Sequence, residues 1–153
     1  LKLWTLLFLA LLPFAANALE VGDKLAPWTL LDQYDQPYTL GDDTQILLVA
    51  RSMDAAKIVN GALQGTPKTF LESRHAVFVA DIQKMPAIIA KMFAVPAMRA
   101  YSYRVMLDRD SRVVPRYPGD AEKVLVLRLQ NGRVVSQAQF DNAESLRSAL
   151  AQP

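Results

Sequence analysis

Residues 45–81 read QILLVARSMDAAKIVNGALQGTPKTFLESRHAVFVAD, and the fold turns on this stretch. The run 45–50 (QILLVA) is short, continuous and apolar, as expected of a strand buried on both faces of a sheet. Residues 54–63 follow with Ala55, Ile58, Val59 and Leu63 near a 3.6-residue period, which predicts a helix. Gly65-Thr66-Pro67 ends that pattern, and 68–73 adds a further helical turn. Residues 76–80 (AVFVA) form a second buried strand, followed directly by Asp81. Strand, helix and strand in this order predict two parallel neighbours joined by a right-handed crossover.

Working outward, 28–31 and 37–40 read as a strand and its return, joined by the turn-rich DQYDQ of 32–36. On the other side, Pro86 stands at the start of a helix whose apolar face is Ile88, Ile89, Met92 and Phe93, with Pro96 ending or kinking it. A third strand is expected over 103–107, an aspartate turn over 108–111, and a return strand over 112–117. Residues 124–129 (VLVLRL) and 134–140 flank Asn131-Gly132, a type I′ hairpin signal. Asp141 to Glu144 has capping-box-like spacing before a last helix carrying Leu146 and Leu150. The sum is an α/β chain, a three-layer sandwich around a mixed sheet flanked by helices.

The chain has 153 residues, 52% of them hydrophobic, with no cysteine and one histidine. One domain is expected at that length. Absence of cysteine excludes disulfides, thiol chemistry and thiolate metal sites. Residues 3–15 are almost wholly apolar behind Lys2, and Ala16-Asn17-Ala18 offers small residues to a signal peptidase. This predicts a signal peptide over 1–18, a domain over 19–153, and a periplasmic or secreted product. The run is shorter than a spanning helix needs and holds Pro13, so no stable membrane insertion is expected after cleavage. Cleavage removes Lys2 from a formal balance of only +2. Arg109, Arg112 and Arg116 interleave with Asp108 and Asp110 as a solvated mixed-charge hairpin, so no nucleic acid is expected as partner.

Residues 21–40 (VGDKLAPWTLLDQYDQPYTL) resemble the N-terminal segment of peroxiredoxins and membrane-associated thioredoxin-like oxidoreductases. Residues 105–117 (VMLDRDSRVVPRY) resemble the peroxiredoxin strand, aspartate turn and strand ending in tyrosine. Residues 124–134 (VLVLRLQNGRV) resemble the hairpin closing the thioredoxin sheet. In plan the chain is similar to the small exported YtfJ-like family, which implies fold and compartment and brings no established activity. The resemblance puts the redox position at the start of the helix after the first core strand, in Arg51-Ser52-Met53-Asp54-Ala55-Ala56-Lys57. Met53 and Ala56 then occupy the two cysteine positions. A thioether has no proton to lose, and alanine is inert. The proline that faces this site in redox relatives aligns with Glu122 or Lys123, so it too is missing.

Arg51, Ser52, Met53, Asp54 and Ala56 are therefore the candidate binding residues, with no catalytic residue and no metal ligand assigned. Ser52 reads as an N-cap, or else as a nucleophile or anion site. Arg51 reads as a partner of Asp54 or Asp81, or as a fork for an anionic ligand. His75 reads as a polar strand-edge residue, or as a general base. Asp108 and Asp110, like Asp42 and Asp43, fit turn chemistry and fall short of a calcium loop. Met85, Met92, Met98 and Met106 read as core filling, or as an adaptable groove. No glycine-rich phosphate loop is present, and no cofactor is expected. Two functions stand: a non-catalytic exported protein binding an envelope protein or small ligand, and an oxidoreductase-like enzyme with a bound cofactor replacing the thiols.

Overall fold

The computed structural model describes residues 18–152. The expected leader, apart from Ala18, lies outside the described residues.

Strands β1 (Thr29–Leu31) and β2 (Pro37–Thr39) pair antiparallel as a two-stranded sheet. The main sheet contains β3 (Ile46–Ala50), β4 (Ala76–Asp81), β5 (Met106–Asp108), β6 (Val124–Gln130) and β7 (Arg133–Phe140), in the order β5-β4-β3-β6-β7. β3 runs parallel to β4, with Ile46 opposite Ala76 and Ala50 opposite Ala80. β6 runs antiparallel to both β3 and β7, so the sheet is mixed as expected. α1 (Met53–Leu63) and α2 (Phe70–Ser73) connect β3 to β4, and α5 (Ala143–Ala151) closes the chain.

Every residue of β3 is buried because each face of the sheet is covered. On one face Ile46, Leu48 and Ala50 pack with Ala55, Val59 and Leu63 of α1 and Leu146 and Leu150 of α5. On the other, Leu47 and Val49 pack with Trp28, Leu30, Val113 and Tyr117. The second layer is thus built from the β1–β2 hairpin and the 113–117 segment, locked by the Trp28 indole N–H donating to the Tyr117 hydroxyl at 2.8 Å. Asn131 (φ 52°) and Gly132 (φ 78°) take the left-handed conformations of the expected hairpin turn. The Asn142 side chain caps α5 by accepting the Ser145 N–H at 2.8 Å.

Three local expectations are corrected. The third strand starts at Met106, not at 103, because buried Gln33 captures the backbone before it. Its amide donates to the Tyr103 carbonyl at 2.7 Å and accepts the Val105 N–H at 3.0 Å. Residues 112–117 form no return strand; Val114–Arg116 is a single 3-10 turn. The fully buried Asp108 carboxylate accepts the N–H groups of Arg112, Val113 and Val114 at 2.8–3.1 Å, turning the chain inward. The basic cluster there is consequently not a hairpin: Arg109 faces Asp35 at 3.8 Å and Arg112 donates to the Thr29 carbonyl.

The third correction concerns the 87–98 helix. α3 (Ala87–Ile89) passes through a π-helical stretch, Ala90–Ala94, into α4 (Val95–Met98). Pro96 has no N–H to return to the preceding turn, and the Val95 N–H reaches five residues back to Ala90. Ala90 and Val95 face the core, whereas Ile88, Ile89, Met92 and Phe93 are exposed. Among the methionines, Met106 is buried in the core on the Trp28 face of the sheet, Met85 and Met98 pack against the core on the α1 face, and Met92 faces solvent.

Candidate functional site

β3 ends at Ala50, and the chain turns at Arg51 and Ser52 into α1. Ser52 is extended (φ −148°, ψ 166°), and its hydroxyl accepts the Ala55 N–H at 3.1 Å. It is the N-cap that its residue type favours. The same hydroxyl donates to the Ala121 carbonyl at 2.5 Å. Met53 opens the helix with half of its surface exposed (50%). Asp54 is exposed in the first turn, where a carboxylate complements the helix dipole. Ala55 is buried and Ala56 half-buried.

Arg51 forms no ion pair within 4 Å with Asp54 or Asp81; its guanidinium donates to the Tyr117 carbonyl. Burial lowers its pKa, and the Asp81 charge works against that shift. A Cβ on Gly119 would stand 3.4 Å from the Arg51 guanidinium and 3.2 Å from the Gln139 amide oxygen. That oxygen also accepts the Asp120 N–H at 2.8 Å. Arg51, Ser52 and Gln139 thus hold the 117–121 segment against the start of α1.

Beside Met53 and Ala56 lies a cleft of about 70 Å³, bounded by Lys57, Ile82, Met98 and Tyr101. Tyr101 stacks on Tyr103 with ring centroids 5.0 Å apart, and the Tyr103 hydroxyl donates to the Asn60 side chain at 2.9 Å. Burial, reinforced by Tyr101, pushes the Tyr103 phenol well above its ordinary range. Drug-sized ligands and cofactors occupy roughly 300–1,000 Å³. This cleft accommodates about one apolar side chain.

Among the described residues the Ser52 hydroxyl bonds to the Ala121 carbonyl and the Ala55 N–H, and to no basic side chain. His75 precedes β4 at the opposite end of the parallel pair, about 17 Å away along five residues of strand. It takes a left-handed turn (φ 49°) and is exposed, as suits a strand-edge position. Asp108 spends its carboxylate on backbone, and Asp42 lies 3.7 Å from Lys24. No cluster of three or more metal-ligating side chains occurs among the described residues. None of the described helices is long and apolar enough to cross a membrane.

The sequence reading missed a larger cavity of about 560 Å³ at the His75 end of the sheet. Tyr34, Tyr38, Lys68, His75, Tyr101 and Arg104 are among its walls. They come from distant stretches with no shared motif, so no spacing announces the cavity. Its cations are partly engaged: Arg104 pairs with buried Asp32 at 2.7 Å, and the adjacent Arg99 donates to the Gln33 carbonyl at 2.8 Å.

No family model matches the chain, and no curated protein does. Solved structures do match it over nearly all the described residues. One is the peroxidoxin BcpB from Mycobacterium tuberculosis, 15% identical, with a TM-score of 0.56 over 86% of this chain and 96% of that one. Another is the thioredoxin domain of a thiol-disulfide oxidoreductase from Bacteroides vulgatus, 12% identical, with a TM-score of 0.54 over 87% and 99%. A peroxiredoxin-like protein from Aquifex aeolicus is 12% identical, with a TM-score of 0.53 over 87% and 86%. At these identities the likeness is one of architecture. Sheet order, helix placement and these neighbours together give the chain the thioredoxin-like fold, on a sequence that holds no cysteine.

Proposed function

We propose that this chain is an exported thioredoxin-fold protein that works by binding a protein partner of the cell envelope, through the surface where its redox relatives carry their thiols. The observation that carries this reading is Met53, half-exposed at the first position of α1 above a cleft sized for one side chain. Without cysteine, neither disulfide exchange nor cysteine peroxidase chemistry is possible there. An exposed thioether beside Ala56 and Tyr101 offers an adaptable apolar contact instead. Export rests on the apolar leader and the Ala16-Asn17-Ala18 site. Kinship with the small exported YtfJ-like family rests on the N-terminal segment and the late hairpin.

The test is affinity capture from the host's own envelope with the processed protein and its Met53→Glu/Ala56→Glu variant. A reproducible partner retained by the first and lost by the second, at unchanged thermal stability, supports the reading. Identical capture by both overturns it. The amino terminus of the exported product should be Leu19; an intact leader would refute export.

A second reading is an oxidoreductase-like enzyme that borrows a cofactor, and the 560 Å³ cavity is the observation in its favour. A visible absorption band retained by the purified protein would move that reading to first place.

A further inference from the structure

The 87–98 helix has the sequence AIIAKMFAVPAM, in which Lys91 is the single polar residue. A helix apolar all round is ordinarily buried all round. This one is buried only through Ala90 and Val95, with Met98 packed beside them. Its outer face carries Ile88 at 70% exposure, Ile89 at 45%, Met92 at 64% and Phe93 at 63%. These four positions, spaced i, i+1, i+4 and i+5, share one side of the helix. A contiguous apolar patch of this kind marks a binding surface. The π-helical stretch Ala90–Ala94 lies within it.

Charge decides what fits. No aspartate or glutamate occurs between Ile82 and Leu107, whereas Lys84, Lys91, Arg99 and Arg104 do. Lys84, Lys91 and Arg99 are exposed. Of the carboxylates near the helix ends, Asp110 shares a cavity with both Lys84 and Arg109, Asp81 accepts the Gln83 N–H and the Ser111 hydroxyl, and Asp35 lies 4.0 Å from Arg99. A second copy of this chain would set Lys91 against the same carboxylate-free face, with nothing to pair it. An anionic bilayer supplies both halves of the match: acyl chain for the four apolar side chains and headgroup phosphate for the lysines. We infer that the 87–98 helix lies on the surface of anionic membranes, inserting Ile88, Ile89, Met92 and Phe93 into the interface while Lys84 and Lys91 meet the headgroups. This surface docking is independent of the partner-binding reading above and involves no spanning segment.

The absence of native cysteine makes the test site-specific in the full chain. An environment-sensitive fluorophore is attached through Ile89→Cys, and through Ser148→Cys on α5 as control. With vesicles of phosphatidylglycerol and phosphatidylethanolamine, the label at 89 should shift to the blue and become quenchable from the acyl chains; the label at 148 should not. The shift should weaken in phosphatidylcholine vesicles. Lys91→Gln, introduced with the label at 89, should weaken affinity about fivefold, as expected for one basic residue. The control label also separates helix insertion from tethering by the apolar leader, which would not select position 89. No shift at 89, equal shifts at 89 and 148, or equal affinity for phosphatidylcholine would overturn the inference. So would a shift at 89 that appears without lipid as protein concentration rises, which would identify a second copy as the occupant.

Discussion

The Ser52 hydroxyl stands 2.5 Å from the Ala121 carbonyl oxygen while accepting the Ala55 N–H at 3.1 Å. One side chain thus caps α1 and holds the segment that leads into β6. Ser52→Ala removes both bonds and should cost about 1 kcal/mol, the ordinary worth of a cap. Ser52→Asp keeps the acceptor and loses only the donor, so it should recover part of that loss. Urea unfolding of the three proteins gives the ranking, and an unaltered midpoint in the alanine variant would argue against the cap.

Asp108 is fully buried and its two oxygens accept three backbone N–H groups. Asp108→Ala strands those donors and should destabilise the protein by about 3 kcal/mol or more. The 113–117 layer should loosen first, because Val113 and Val114 owe their inward course to this carboxylate. Hydrogen exchange at Val113, Val114 and Tyr117 reads this directly. Added calcium should leave the unfolding temperature unmoved, since the oxygens are already occupied.

Asp32 is buried beside Arg104. Burial raises its pKa, but the N–H of Gln36, the Arg104 side chain and the N–H of Tyr34 outweigh burial and hold the carboxyl below its ordinary 3.8. A depressed carboxyl stabilises the fold fully above its unfolded-state value. That contribution is lost as pH falls below 3.8 through the folded value. Asp32→Asn should lower stability by about 2 kcal/mol at neutral pH and flatten the acid limb of the stability curve. Parallel acid limbs for wild type and variant would show that another group controls the transition.

Met53 and Ala56 lie three residues apart in the first turn of α1, on neighbouring positions of one face. Met53→Cys/Ala56→Cys should give a dithiol that oxidises to a disulfide. The thiol at 53 should ionise below the ordinary 8.5, since it meets the helix N-terminus in a half-exposed position. Alkylation rate against pH measures the ionisation; two thiols titrating at the ordinary value would show that the helix N-terminus does not act on position 53.

Gly132 has φ 78°, and a Cβ there would meet the Asp42 carboxylate oxygen at 2.6 Å. Gly132→Ala should destabilise by about 1–2 kcal/mol through backbone strain and displacement of Asp42 from Lys24. Thermal unfolding checks the loss, and Gly132→Asn, tolerated at positive φ, should recover part of it.

The sequence by itself determined the elements whose signals are local. Both core strands, 45–50 and 76–80, are legible because a strand buried on both faces must be apolar throughout. Helix α1 follows from its period, the Asn131-Gly132 turn from backbone sterics, and the cap at Ser52 from side-chain oxygen chemistry; for the last helix the spacing pointed to Asp141 with Glu144, whereas the structure caps it one residue later, with Asn142. The absence of thiol chemistry is legible from composition alone.

Tertiary structure decided what depended on distant partners. Gln33 delayed the third strand and Asp108 curled the expected return strand into a turn, because buried side-chain hydrogen bonds compete with ladder bonds for the same backbone groups. Arg51 found the Tyr117 carbonyl across 66 residues instead of a nearby carboxylate. Helical period alone cannot say which of two apolar faces meets the core. Ile88, Ile89, Met92 and Phe93 therefore came out exposed, because close packing near the sheet selected Ala90 and Val95 instead. The 560 Å³ cavity exists only where separate stretches of chain converge.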